Sequence, residues 1–334
     1  MKHTFHLWMI IMGIILFGTA LAALCAGPFH VPAGDVLSIL SGKGSAIPNA
    51  ETTIRMVRLP RIVLTVLAGA GLSAAGAAFQ SLFANPLATP DTLGTANGAS
   101  FGAAFGILLG LPSFGVQLLA LGMGVLAVLL VLALTRAVHG VRNTSLIMVI
   151  LAGMVISSMF SALVSLVKYV ADPNDVLPVI TFWLMGSFSG TTVKSLTIGI
   201  PLIVTGLVIL FLMRYRMDVL SLSEDEAKSL GINLPLTRGL IIFAASAITA
   251  SVVALCGVIG WVGLLIPHIV RMLLGTSNAY VVPGSMLSGA IFMLLTDTAA
   301  RCATAAEIPV SILTAVIGAP VFILLLRKTG GIQA

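Results

Sequence analysis

The chain has 334 residues, of which 58% are hydrophobic and 8% charged, with a formal net charge of +6 and a mean hydropathy of +1.14. That composition excludes an ordinary water-soluble domain. Apolar stretches of about 20 residues recur, each long enough to cross about 30 Å of hydrocarbon, and they define an all-α polytopic membrane protein. The alternating pattern of membrane β-strands is missing, and the modest positive balance suits basic loops rather than a nucleic-acid partner.

Ten spans are predicted, at about 7–26, 60–82, 93–110, 114–137, 145–169, 195–213, 239–257, 259–274, 282–300 and 308–327. They form a single transmembrane domain over residues 1–334. The first begins like a secretory leader, with Lys2, an apolar core and small residues, but the core from Leu7 to Ala26 is span-length and further spans follow. It therefore reads as a retained helix. Next, "PFHVPAGDVLSILSG" (28–42) has a short amphipathic character suited to lying along the outer surface.

Arg58 and Arg61 flank Pro60 at the predicted start of the second span. Proline suits a first helical turn, but cations there oppose the helix dipole, so helix stability alone does not account for them. Headgroup anchoring is one use for such arginines. Further along, Gly71, Ala75 and Ala78 follow the small-xxx-small spacing that lets helices approach closely. "ANPLATP" (84–90) carries Pro86 and Pro90 and is predicted to be non-helical, a backbone tolerated near membrane depth where it is buried in protein or lines a cavity. In the fifth span Ser157, Ser161 and Ser165 recur every four residues beside Met154 and Ser158, on one helical face. Hydroxyls so placed either line a path or bond their own backbone.

Residues 214–238 carry eight charges in an otherwise apolar chain. Burying them in lipid would cost on the order of 20 kcal/mol, so the segment lies outside the hydrocarbon. Ser223 with Glu226 forms a capping-box pattern, Glu224 and Asp225 suit a first turn, and Gly231 suits a C-terminal stop. A helix over Glu224–Leu230 is predicted, with Ala227 and Leu230 sharing a face. Two turns are marginal in water, so this helix needs a surface to lean on. Near the end of the chain, Asp297 precedes Arg301 by four residues, a spacing suited to a same-helix ion pair, and Glu307 follows. His268 and Arg271 lie three apart in "PHIVR" and suit contact with the 214–238 region or with a docked partner chain.

Ten spans put both termini on one side. With that side cytoplasmic, ten basic residues fall inside and seven outside, the sign of the positive-inside rule. The cysteines, Cys25, Cys256 and Cys302, are far apart and make no metal motif. "SGKGS" (41–45) lacks the spacing of a nucleotide-binding P-loop. No catalytic or metal-ligating constellation is apparent within the spans.

Several blocks resemble the FecCD-type permeases of iron–siderophore and vitamin B12 importers. They are "RLPR" (58–61), "QSLFANPLATPDTLGTANGAS" (80–100), "WLMGS" (183–187), "LSLSEDEAKSLGI" (220–232), "GWVGLLIPHIVR" (260–271), "TDTAAR" (296–301) and "EIPVSILTAVIGAPVFILLL" (307–326). Trp261, Ser223 and Ser311 depart from the usual residues without removing a charge. The resemblance implies a vitamin B12 importer permease-like fold in the bacterial cytoplasmic (inner) membrane. It implies four kinds of partner: a second copy of the chain, two cytoplasmic ATPase subunits that carry ATP and Mg, an external substrate-binding protein, and lipid. This chain would hold no cofactor and no metal.

By resemblance, Ser223, Glu224, Asp225, Glu226, Ala227, Leu230 and Gly231 couple to the ATPase, and Arg58, Arg61 and Arg301 dock the binding protein. Asn85, Leu87, Thr144 and Ser145 form the cytoplasmic gate, and Met154, Ser157, Ser161 and Ser165 line the pathway. The implied cargo is an iron–siderophore complex, with haem or cobalamin as the alternative and oxyanions such as molybdate a minority. An ion-coupled secondary transporter is the rival of a different class. Such proteins carry ionisable groups deep in their spans, whereas Asp91, Asp297 and Glu307 fall near span ends.

Overall fold

The structure, a computed structural model, describes residues 2–139, 146–220, 224–304 and 306–328. Among them there is no strand. The helices are α1 (Lys2–Cys25), α2 (Ala33–Leu40), α3 (Ala50–Thr52), α4 (Leu59–Leu82), α5 (Thr95–Leu108), α6 (Ser113–His139), α7 (Leu146–Val170), α8 (Val176–Leu184), α9 (Val193–Val219), α10 (Glu224–Ser229), α11 (Leu234–Cys256), α12 (Val262–Leu274), α13 (Asn278–Ala303) and α14 (Val310–Lys328). Each of the ten expected spans meets a helix. Seven are long and apolar enough to cross a membrane, and α5, α12 and α14 are shorter.

Three boundaries differ from the sequence reading for identifiable reasons. The second span begins ten residues early, because α3 runs through a π-helical turn (Thr53–Arg58) into α4 to make one helix over Ala50–Leu82. In that turn Leu59 N–H reaches back to Ile54 O. The wider ladder lets Pro60, which has no N–H, sit inside a continuous helix without breaking it. The eighth span begins late, because Gly257 and Trp261 both have positive φ, 73° and 71°, and helical hydrogen bonding resumes only at Val262. Finally, the segment 170–194, which lies between the predicted fifth and sixth spans, contains α8.

α4 and α11 form the centre. Within their most apolar windows 78% of residues are buried, against 11% in α1 and 22% in α9, which face outward. Small side chains make this possible. A Cβ on Gly69 would meet the backbone of Gly289 in α13, one on Gly71 would meet Ile248 of α11, and one on Gly76 would meet the carbonyl of Gly263 in α12. Three neighbours therefore close on α4 at three glycines, gaining dispersion contacts that bulkier residues would prevent. The antiparallel α5–α6 pair closes the same way, with Gly98 against Met123 and Gly102 against Leu119.

The bundle has two polar ends. α4 and α13 run antiparallel, Arg61 beside Asp297 at one end and Ser81 beside Asn278 at the other. Twenty helical residues separate Arg61 from Ser81, about 30 Å at 1.5 Å per residue. Phe5 in α1 packs against Tyr280 in α13 with the rings tilted and their centroids 4.6 Å apart, which places the start of α1 at the Asn278 end. Asp218, which leads into α10, is bonded to Asn278 at that same end.

Candidate functional site

At the first end, α4, α13 and the chain after α1 bring together the three arginines singled out in the sequence. All three are nearly inaccessible: Arg58 is 4%, Arg61 6% and Arg301 4% exposed. Arg61 donates from Nη2 to Asp297 Oδ1 at 2.8 Å, from Nε to Asp297 Oδ2 at 3.1 Å and from Nη1 to Glu307 Oε2 at 2.9 Å. Arg58 Nη1 donates to Leu24 O at 2.5 Å and to Cys25 O at 3.3 Å, and its Nη2 donates to Phe29 O. Arg301 Nη2 donates to Ala23 O.

Two expectations change here. Arg58 and Arg61 do not sit at a helix N-terminus, since the helix starts at Ala50. Arg58 and Arg301 serve instead as a side-chain cap for the last carbonyls of α1, where the negative end of the dipole favours cations. Asp297 is ion-paired with Arg61 rather than with Arg301. The i, i+4 spacing allowed the local pair, but a guanidinium 236 positions away bonds both carboxylate oxygens. No local signal in the sequence announces that pair.

At the second end, α10 spans Glu224–Ser229 and closes with Ile232 N–H donating to Ala227 O at 3.3 Å and Gly231 at φ 72°. This is the stop expected of Gly231. The backbone then turns so that Asn233 accepts from Leu236 N–H at 3.1 Å and caps α11. Ala227 is fully buried against this chain, whereas Leu230, beyond the last helical residue, is 60% exposed. The predicted shared face of Ala227 and Leu230 is therefore split: Ala227 anchors α10 and Leu230 projects outward. Glu226 is exposed. Ser223 and the side chains of Glu224 and Asp225 lie outside the described residues.

α4 ends at this side in a turn. Asn85 Oδ1 accepts from Leu87 N–H at 2.9 Å, and Asn85 and Leu87 are both exposed. Thr144 and Ser145, expected to face them, lie outside the described residues. On α7, Met154, Ser161 and Ser165 point away from the core. Ser165 Oγ donates to Ser161 O at 3.0 Å, and Ser157 is turned inward to accept from Asn97 Nδ2 of α5. The stripe is thus divided, with one serine tying α7 to α5 and two left on the open face.

Among the described residues, seven long apolar helices and three shorter ones thus form a bundle with a short polar helix at one end and an arginine-bound cluster at the other. Its sequence matches the model of the FecCD transport family over residues 14–328, and the chain belongs to that family. It is 40% identical to the molybdate import system permease protein MolB of Haemophilus influenzae, covering 94% of each chain. It is 38% identical to a probable iron chelatin transport system permease protein of Helicobacter pylori, over 83% of this chain and 82% of that one. It is 36% identical to the vitamin B12 import system permease protein BtuC of Escherichia coli, over 97% and 95%. Among solved structures it resembles an inward-facing conformation of a putative metal-chelate type ABC transporter, with a TM-score of 0.87, 38% identity and coverage of 96% and 98%.

The chain is therefore the transport subunit of an ABC importer and not an enzyme. The family implies that ATP and Mg act in a separate ATPase chain. The family implies a substrate-binding protein as a further partner and the bacterial inner membrane as the location.

Proposed function

We propose that two copies of this chain form the membrane path of an importer for a chelated metal, most simply an iron–siderophore complex, with both termini and α10 in the cytoplasm. The observation that carries this reading is the placement of α10 and the arginine cluster at opposite ends of α4 and α13. Force applied at one face can then act on a path loaded at the other.

In this reading Glu226 and Leu230, both exposed, enter the ATPase together with Glu224 and Asp225, while Ser223, Ala227 and Gly231 shape the helix. Asn85 and Leu87, with Thr144 and Ser145, close the inner end. Met154, Ser161 and Ser165 of both copies line the path, and Ser157 braces it. The end held by Arg58, Arg61 and Arg301 receives the binding protein. Acidic lobes there would compete with Asp297, Glu307 and the α1 carbonyls for the guanidinia, a competition weakened by salt.

Support for a metal chelate comes from the iron chelatin relative and the metal-chelate type neighbour. Molybdate is the second reading, favoured by the 40% identity to the Haemophilus influenzae permease along nearly its whole length. Haem and cobalamin follow, with the vitamin B12 relative in their favour.

Proteoliposomes holding this chain and its ATPase, with the binding protein supplied outside, decide between these readings. ATP-dependent, vanadate-sensitive uptake of radiolabelled ferric siderophore supports the first, and uptake of radiolabelled molybdate alone replaces it with the second. Accumulation driven by an ion gradient without ATP overturns both. E224K/E226K should abolish ATP-driven uptake while leaving membrane insertion intact. R58E/R61E/R301E should lose capture of the binding protein beyond any loss seen in D297N, which disturbs the same cluster without reversing an arginine.

A further inference from the structure

Asp218 occupies the last turn of α9, six positions before α10 begins. Its carboxylate does not face solvent alone. Ser277 Oγ donates to Oδ2 at 2.8 Å, while Asn278 N–H and Asn278 Nδ2 donate to Oδ1 at 2.7 and 2.8 Å. Ser277 is the N-cap of α13, yet its own side chain makes no capping bond. The cap is delivered from α9 instead. An anion at this position satisfies the orphan N–H of Asn278 and the positive end of the α13 dipole together.

The connection continues inward. Asn278, 4% exposed, accepts at Oδ1 from Ser81 Oγ of α4 at 2.7 Å, with Arg271 Nη2 of α12 at 3.4 Å. Arg271 also donates to Ser81 Oγ at 3.0 Å, to Ala77 O at 3.1 Å and to Thr276 O at 3.2 Å. Four helices, α4, α9, α12 and α13, therefore converge on a single amide side chain. Ser81 lies four residues before Asn85. From Asp218 the path to the Asn85–Leu87 turn thus consists of two side-chain contacts, Asp218–Asn278 and Asn278–Ser81, and the short stretch of chain from Ser81 to Asn85.

We infer, on the reading of α10 as the coupling element, that Asp218 is a positioning residue: its bonds to Ser277 and Asn278 carry displacement of α10 into α4, α12 and α13 and so set the Asn85–Leu87 turn. A charged, triply bonded contact suits this task. It resists being pulled apart, and it holds the N-terminus of α13 and, through Asn278, the C-terminal turn of α4 in fixed relation.

The test uses the permease with its ATPase in lipid nanodiscs, on a background with Cys25, Cys256 and Cys302 changed to alanine and L87C added as reporter. The readout is the ratio of maleimide labelling rates at L87C without nucleotide and after ATP–vanadate trapping. D218A should shrink the nucleotide-dependent change by about fivefold or more. The exchange D218N/N278D, which reverses donor and acceptor while keeping the charge and the pairing, should recover most of it. A purely structural role predicts no such recovery.

A D218A protein that responds as wild type does, while E224K/E226K abolishes the response, overturns the inference and leaves the coupling role of α10 standing. If D218A does not assemble, D218N alone and the exchange decide: equal responses from both overturn the inference. Wild-type protein with no nucleotide response at L87C overturns the coupling reading itself, and this inference with it.

Discussion

Arg61 and Asp297 stand 236 positions apart and meet in the interior, Nη2 2.8 Å from Oδ1, with Glu307 accepting from Nη1 of the same guanidinium at 2.9 Å. Their side chains are 7% and 1% exposed. The pair crosses α4 and α13, and these two helices meet at Gly69 and Gly289 two turns deeper. The glycines bring the backbones close, and the ion pair then fixes how far one helix slides past the other.

Breaking that pair from one side leaves a buried charge without its partner. D297N or R61M should destabilise the protein by about 3–5 kcal/mol, while R61M/D297L should cost clearly less than the sum of the single changes. Thermal unfolding in detergent at several salt concentrations measures this. Single variants as stable as wild type would contradict the geometry.

Arg58 supplies donors to carbonyls of Leu24, Cys25 and Phe29. R58A should leave these groups unsatisfied and cost about 1–3 kcal/mol, with fraying confined to the end of α1. Cys25, which is partly accessible, should then react with a maleimide faster than in wild type. An unchanged rate would show that the α1 end is held by other contacts.

Close approach predicts a steep response at Gly76. A methyl group there would run into the Gly263 carbonyl, and neither backbone has a flexible end that can move aside. G76A should therefore lower the unfolding temperature markedly, whereas G122A, with open space around it, should be neutral or slightly stabilising through helix propensity.

Ala227 and Leu230 should separate anchoring from partner contact. A227L overfills a site with no exposed area and should destabilise by about 1–3 kcal/mol. L230A removes an exposed side chain and should leave unfolding unchanged while reducing co-purification of the ATPase chain. The reverse pattern would place Leu230 in the fold and Ala227 at the interface.

The helical class and nearly every span were legible because a 20-residue apolar run has one stable outcome in lipid. The position of α10 was legible from its charges, its first-turn acids and Gly231, all of which act within a few residues. The start of the second span was misplaced because the signal at Pro60 is locally valid, and only the π-helical turn before it makes proline acceptable inside a longer helix. Ser157 looked equivalent to Ser161 and Ser165 by spacing, but Asn97 on a neighbouring helix captures it. Asp297 was read with Arg301, its partner by sequence spacing, when the better-oriented guanidinium belonged to Arg61.

Taken alone, the order of amino acids determined that this is a polytopic helical membrane protein with a charged helix outside the hydrocarbon between its sixth and seventh spans, and its ordered motif blocks pointed to the importer family. Those conclusions depend on hydrophobic length, local capping and charge, whose energies are set within a turn or two of helix. Only the tertiary structure decided that the arginines are tied inward, that Ala227 and Leu230 face different surroundings and that Asp218 caps α13. Such pairings depend on which distant groups meet at hydrogen-bond distance when α4 and α13 close on their glycines. Separation along the chain carries no record of that meeting.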